Sequence, residues 1–348
     1  MNIPGNFPGR RSLARALALA AAIVLAAATA ERPARAASDP WPTSPITIVV
    51  ATEAGGGFDL MARGLATALG RELGVPVVVA DHPGGSMVVG TAYALSQPHD
   101  GNTLLVAGPA PFWYADIYHF NAPFKLTDFD ILNIQWTDRS AVMVPRESRF
   151  NSLKEIVAAV RTNPGTVSVG VVRDSGELYN LAILRDRLGL PASALRIVTY
   201  GASAPLRTAI AGGQVDFAVI SLDASAQMLQ LLKPLAVFGD PLANPPPGLP
   251  ADLPTVGAVL KSLHVKPVDF VPSSMRAIVV PADFKQQYPD RYKKLLDAYR
   301  RVVQNPQFVA DSAKQGITVE WKGPQRSLRD VQQAFALFDR YQHLIATP

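Results

Sequence analysis

Twice within the first hundred residues an apolar run ends in a glycine-rich turn that opens into a helical pattern. Residues 46–51 (ITIVVA) read as a buried strand, Gly55-Gly56-Gly57 lets the backbone turn tightly, and residues 59–73 carry apolar side chains at helical spacing. Residues 75–80 (VPVVVA) repeat the strand and Pro83-Gly84-Gly85-Ser86 repeats the turn. Strand alternating with helix confines the chain to α/β architectures, in which parallel sheets are covered by helices on both faces. Turns of this kind leave backbone N–H groups free at helix N-termini, where the helix dipole favours negative charge. A carboxylate or phosphate is therefore expected at these turns, with no lysine required.

The N-terminus reads as an export signal. Arg10, Arg11 and Arg15 precede an alanine- and leucine-rich stretch over residues 16–30, too short to span a bilayer, and Ala34-Arg35-Ala36 offers a small-x-small cleavage site. Residues 1–36 are expected to be a cleaved signal peptide, with the Sec or twin-arginine route left open. That segment holds five basic residues and one acidic one, so it supplies +4 of the formal +5 and leaves the mature chain near +1. Neither nucleic acid nor an anionic membrane surface is then expected as a partner. The chain has no cysteine, which excludes disulfides, a thiolate nucleophile and cysteine metal sites.

Beyond the two turns, the first series continues with a strand at 103–107 and an aromatic stretch, Phe112-Trp113-Tyr114. A second series starts at 141–145. Its first helix is announced by Ser152 and Glu155 at capping-box spacing and ends near Pro164. Strands at 167–172, 195–200, 215–221 and 234–238 follow, with helices at 175–188 and 204–211 between them. Residues 241–254 hold six prolines and form a surface connection or a clasp. A strand at 276–281 and amphipathic helices around 288–303 and 328–345 are too few for a third domain and most simply complete the first lobe. The expected division is a signal peptide at 1–36, the first part of lobe 1 at 37–140, lobe 2 at 141–265, and a return to lobe 1 at 266–348. Two crossing segments, near 138–145 and 266–281, make a clamshell whose strand ends and glycine turns face the cleft.

Several short stretches, in order, carry a resemblance. They are Trp41-Pro42-Thr43-Ser44-Pro45-Ile46, Ala54-Gly55-Gly56-Gly57-Phe58-Asp59, His82-Pro83-Gly84-Gly85, Pro98-His99-Asp100-Gly101, Tyr200-Gly201-Ala202-Ser203, Gly212-Gly213-Gln214-Val215-Asp216 and Leu253-Pro254-Thr255-Val256. With them the chain resembles the substrate-binding proteins of tripartite tricarboxylate transporters, the Bug family of periplasmic receptors. The resemblance implies a two-lobed type II periplasmic-binding-protein fold that closes over a small carboxylated solute, while acids near the first turn, Glu53 among them, leave an amino-acid-like solute open. It also implies a monomer that delivers its solute to membrane transporter subunits, with no cofactor. The loops at Ala54 to Asp59 and Pro83 to Gly85 would hold one carboxylate through backbone amides and water.

The ligand-facing set expected on lobe 1 is Glu53, Ala54, Gly55, Gly56, Gly57, Phe58 and Asp59 with Gly84, Gly85 and Ser86, then Pro109 and Phe112. On lobe 2 it is Arg173, Ser175, Gly176, Tyr200, Ser203 and Asp223. Some of these depart from the family pattern: Glu53 beside the triglycine, the Pro109 to Tyr114 stretch, and Arg173 to Asn180. Asp59 sits in a first helical turn, where an acid caps neighbouring N–H groups. Arg173 either forks a ligand carboxylate or pairs with Asp174 or Glu177. Nothing signals an enzyme: the five histidines lack HxH or HExxH spacing, there is no GxSxG elbow, and only His82, beside the second turn, invites a test. Two other readings remain open at this level. One keeps the clamshell as a ligand-sensing co-receptor for a membrane signalling protein. The other is a nucleotide-dependent oxidoreductase, disfavoured because the turn lacks the spaced third glycine.

Overall fold

The computed structural model describes Met1 and residues 40–173, 175–241, 248–250 and 252–345. The signal peptide expected over 1–36 thus lies, but for Met1, outside the described residues, as do Asp174 and half of the proline-rich segment. Residues 42–348 form one compact unit. Among the described residues no helix is long and apolar enough to cross a membrane.

Ten strands order the described part of the chain. They are β1 (Ile46–Val50), β2 (Val77–Asp81), β3 (Thr103–Ala107), β4 (Phe129–Asp138), β5 (Ser140–Pro145), β6 (Val167–Val172), β7 (Leu195–Tyr200), β8 (Phe217–Ser221), β9 (Leu232–Val237) and β10 (Ser274–Pro281). They build two sheets of five, in the orders β2-β1-β3-β10-β4 and β7-β6-β8-β5-β9. The centres of both sheets are buried on both faces. Accordingly β1 (ITIVV) and β8 (FAVIS) are each apolar at four of five positions rather than alternating. In the second sheet the pleat separates two cores: Val142, Val167, Val169, Phe217 and Val219 pack on one face, and Ala141, Met143, Ala218 and Ile220 on the other.

The registers decide where the strand ends point. β1 pairs in parallel with β2 and β3, and β10 runs antiparallel to both β3 and β4, so β4 runs with β1 to β3. The second sheet repeats the plan, with β6 parallel to β7 and β8, and β5 antiparallel to β8 and β9. Each sheet therefore has one antiparallel strand, and it is the one arriving from the other sheet. β4 passes into β5 through Arg139 alone, and β10 follows the segment that leaves the second sheet. This brings the C-terminal ends of β1 to β4 and the start of β10 to one edge. The matching edge of the second sheet, where Ser140 pairs with Ser221, adjoins it at Arg139.

Helix starts and stops follow local chemistry. The helix Gly57–Leu73 buries Phe58, Met61, Ala62, Leu65, Ala66 and Leu69 along one stripe, and the Gly74 amide closes its last turn on the Gly70 carbonyl at 3.0 Å. Ser152 caps the helix Leu153–Thr162 by accepting from the Glu155 amide at 3.3 Å, while the Glu155 carboxylate reaches back to the Asn151 amide at 2.8 Å. β4 has no counterpart in the sequence reading. Its polar Asn133 and Gln135 are buried, and their partners come from the C-terminal segment: Asn133 bonds the Glu320 carbonyl and the Lys322 and Gly323 amides at 2.7–3.0 Å, and the Tyr299 hydroxyl donates to Gln135 at 2.9 Å. The helices Val88–Ser96, Val256–Ser262 and Pro306–Lys314 were likewise not foreseen. The last long helix runs over Pro324–Tyr341, four residues earlier at each end than the expected 328–345.

Candidate functional site

The triglycine turn follows β1 on the cleft-facing edge. Gly55 has φ 80°, in the left-handed region, and Gly56 is the N-cap of the helix Gly57–Leu73. No side chain caps this end. The Gly55 amide is taken by the Asp59 carboxylate at 2.7 Å, whose other oxygen meets Arg63 Nε at 2.7 Å. Burial pushes the Asp59 carboxyl up, but the Arg63 and Gly55 bonds outweigh it and hold the group below the usual range. Asp59 thus braces the turn from within, taking a neighbouring N–H as an acid in a first helical turn does. The amides of Gly56, Gly57 and Phe58 donate to no group among the described residues. Three donors at the positive end of a seventeen-residue helix are left for an outside anion.

Beneath the turn lies a residue that the sequence reading missed. Arg276 on β10 is 8% exposed, and its guanidinium is held between Trp136, 3.8 Å from the ring centre, and Phe58, at 5.0 Å. Nη2 donates to Asp138 at 3.1 Å, and Asp138 also accepts from Ser221 on the second sheet at 2.7 Å. Complete burial pushes the Asp138 carboxyl up, against the pull of the Arg276 charge. Among the described residues Arg276 Nε and Nη1 have no hydrogen-bond partner, nor do Trp136 Nε1 and Ser274 Oγ beside it. Leaving a buried donor unfilled costs about 1–3 kcal/mol, more for a charged group. Arg276 pairs with Trp136 across the sheet, so both project to the same face, and that face carries the turn.

The second turn is different in kind. The Val88 and Val89 amides bond back to the Gly85 and Gly84 carbonyls at 3.0 and 3.3 Å. Behind the turn is the fully buried carboxylate of Asp116, which faces the Ser86 hydroxyl and the Met87 amide without closing a well-shaped bond to either. Burial raises its pKa to about 6, so at neutral pH a negative charge already sits there. That charge distinguishes the second turn from the first. Gly84, Gly85 and Ser86 are exposed on the cleft rim, and the open anion position is at the first turn.

The remaining expected residues fall into three groups. Glu53 and Ala54 are exposed on the first turn, and Phe112, half-buried, meets Phe58 edge-on at 5.6 Å, whereas Pro109 is buried. Tyr200 and Ser203 are half-buried and Arg173 exposed, all at the ends of β6 and β7. Ser175, Gly176 and Asp223 are engaged within the protein itself. Ser175 caps the helix Gly176–Arg187, accepting from the Leu178 amide at 3.3 Å and donating to the Val172 carbonyl at 2.7 Å. Gly176 is buried, and a Cβ on it would lie 2.2 Å from the Pro272 carbonyl oxygen of the return crossing, so the close approach of the two segments requires glycine there. Asp223 accepts from the Arg139 amide at 3.0 Å and Nε at 3.2 Å, and pairs with its Nη2 as well. Arg207 was also missed. It is half-buried on the helix Ser203–Ala211, makes no ion pair or hydrogen bond among the described residues, and is close enough to Asp138 to feel its charge.

Two sheets whose C-terminal edges meet at one crossing, with a turn of unfilled amides above it, have the plan of a two-lobed clamshell. Residues 61–345 match the model of the tripartite tricarboxylate transporter family receptor, and the chain belongs to that family. The family is one of receptors, which removes the oxidoreductase alternative. The chain is 28% identical over 224 residues to a UPF0065 protein from the tcbD-tcbE intergenic region of Pseudomonas sp. strain P51, covering 63% of this chain and 64% of that one. It is 28% identical over 229 residues to BugT of Bordetella pertussis, covering 64% and 69%. The chain spans 64%, 52% and 57% of the first curated relatives it matches. In fold it is similar to an R. palustris protein solved with adipate, at TM-score 0.70 and 21% identity over 87% of this chain and 98% of that one. A TctC solute-binding protein from Polaromonas gives 0.67 at 20%, over 86% and 99%.

Proposed function

We propose that the chain is a periplasmic, monomeric receptor that closes on a small carboxylated solute and passes it to the membrane subunits of a tripartite transporter. The observation that carries this reading is the trio of unfilled amides at Gly56, Gly57 and Phe58, on the edge where the two sheets meet. Family membership and the adipate and malate named in two structures of similar fold support the same solute class. In this proposal residues 37–140 and 266–348 make one lobe, residues 141–265 the other, and the leader is removed on export. Four to six charge-assisted hydrogen bonds at about 1.5–3 kcal/mol each, less an association cost of about 4 kcal/mol or more, reach the roughly 8 kcal/mol of micromolar binding in the upper half of that range, which requires a cleft that closes and excludes water. A thermal-shift screen against mono-, di- and tricarboxylates, amino acids and aromatic acids tests it. A carboxylate present at about a hundred times its Kd adds about 2.7 kcal/mol of stability, an easily read rise in Tm. A chain indifferent to the whole panel at millimolar concentration is not such a receptor.

A further inference from the structure

We infer that Arg276 is the side chain that recognises the solute's carboxylate, through the guanidinium edge that lies under Gly57, and that position 57 is glycine to keep that edge open. The inference rests on the receptor reading and adds a direct, charged contact to it.

The argument begins with donors. A guanidinium carries five N–H groups and no acceptor. In Arg276 the single Nε–H and both Nη1–H are unfilled, in a side chain more than nine-tenths buried. Asp138 balances the charge but occupies only Nη2. The nearby pair Arg139 and Asp223 shows what a completed arginine looks like in this protein, with Nε and Nη2 together forking one carboxylate. Arg276 presents the same Nε–Nη2 edge to the turn. A Cβ built on Gly57 would sit 3.1 Å from Nη2 and 3.3 Å from Nε.

Position 57 is the first residue of its helix and has no left-handed φ, so its conformation does not call for glycine. Proximity to Arg276 does. The guanidinium packs on the Trp136 ring at 3.8 Å and the Phe58 ring at 5.0 Å and is tied to Asp138, so it is poised before any solute arrives. A planar carboxylate placed here receives the fork from below and turn amides from the helix end. A neutral amide keeps one acceptor oxygen but loses the charge and the second arm of the fork.

The experiment uses the full mature chain. The carboxylate giving the largest thermal shift on wild type, and its neutral primary amide, are titrated calorimetrically into wild type, Gly57→Ala and Arg276→Lys. Wild type is expected to bind the acid and to bind the amide at least about a hundredfold more weakly. Arg276→Lys keeps a charge beside Asp138 but loses the fork, and should weaken the acid about tenfold or more. Gly57→Ala keeps both charges but puts a methyl 3.1 Å from Nη2, so the guanidinium must give by a few tenths of an ångström; the variant should fold with a slightly lowered Tm yet lose binding by a similar factor. In parallel, the Arg276 Nε–H resonance of wild type, assigned by its disappearance in Arg276→Lys, should move downfield as the acid is added. Wild-type affinity in both variants, or an unmoved Nε–H at saturation, overturns the role of Arg276 and leaves the receptor reading intact. Wild type that binds no carboxylate of the panel overturns both.

Discussion

Gly55, Gly56 and Gly57 stand side by side in one turn, and each meets a substitution differently. Gly55 is held at φ 80°, so Gly55→Ala should cost about 1–3 kcal/mol in a urea titration. A side chain on Gly56 meets only the Glu53 carbonyl oxygen, at 3.5 Å. Gly56→Asp is therefore expected to fold normally, since aspartate is a favoured N-cap, while its carboxylate occupies the free amides and abolishes solute binding. A second residue-scale expectation concerns pH. Burial raises the Glu177 carboxyl to about 7 and the Asp116 carboxyl to about 6, above ordinary values of 4.5 and 3.8. The folded chain then binds protons more tightly than the unfolded one at both sites. Each contributes stability that is full below its unfolded pKa and lost as pH rises through its folded pKa. Glu177→Gln, which keeps a partner for the Ser273 hydroxyl, should gain up to roughly 3 kcal/mol over wild type between about pH 5 and pH 8. Equal urea midpoints for the two proteins across that range would contradict it.

At the scale of elements, what the sequence disclosed was what its neighbours along the chain decide. The first turn was legible because strand, glycines and helix are contiguous, and the Ser152 cap because its partner is three residues away. β4 was not legible. Its Asn133, Gln135 and Asp138 break the apolar pattern, and the groups that satisfy them lie on distant segments. Arg276 was hidden for the same reason: alone in an apolar run, it gains meaning only when the return crossing sets it under Gly57. Ser175 and Asp223 misled in the opposite direction, since polar residues at strand ends suit capping and hinge bracing as well as ligand contact. Asn133→Leu is expected to leave the Lys322 and Gly323 amides and the Glu320 carbonyl unpaired. Its cost should be about 2–4 kcal/mol in chemical denaturation, with solute affinity per folded molecule unchanged.

For the whole molecule, the hinge is the point at which binding and shape are coupled. Asp138 is bonded by Arg276 from one sheet and Ser221 from the other, and Arg139, the next residue, is clamped by Asp223. A carboxylate that fills the first turn and Arg276 lies beside this junction, and exclusion of water by the opposing edge strengthens every polar contact it makes. Binding therefore favours the closed arrangement by the difference in contacts between the two states. Small-angle X-ray scattering of the mature chain, with and without a saturating carboxylate from the thermal-shift panel, measures this directly. The radius of gyration is expected to fall on saturation in wild type and to stay fixed in Gly56→Asp. An unchanged radius in wild type with the site demonstrably filled would contradict a receptor that works by closing on its solute.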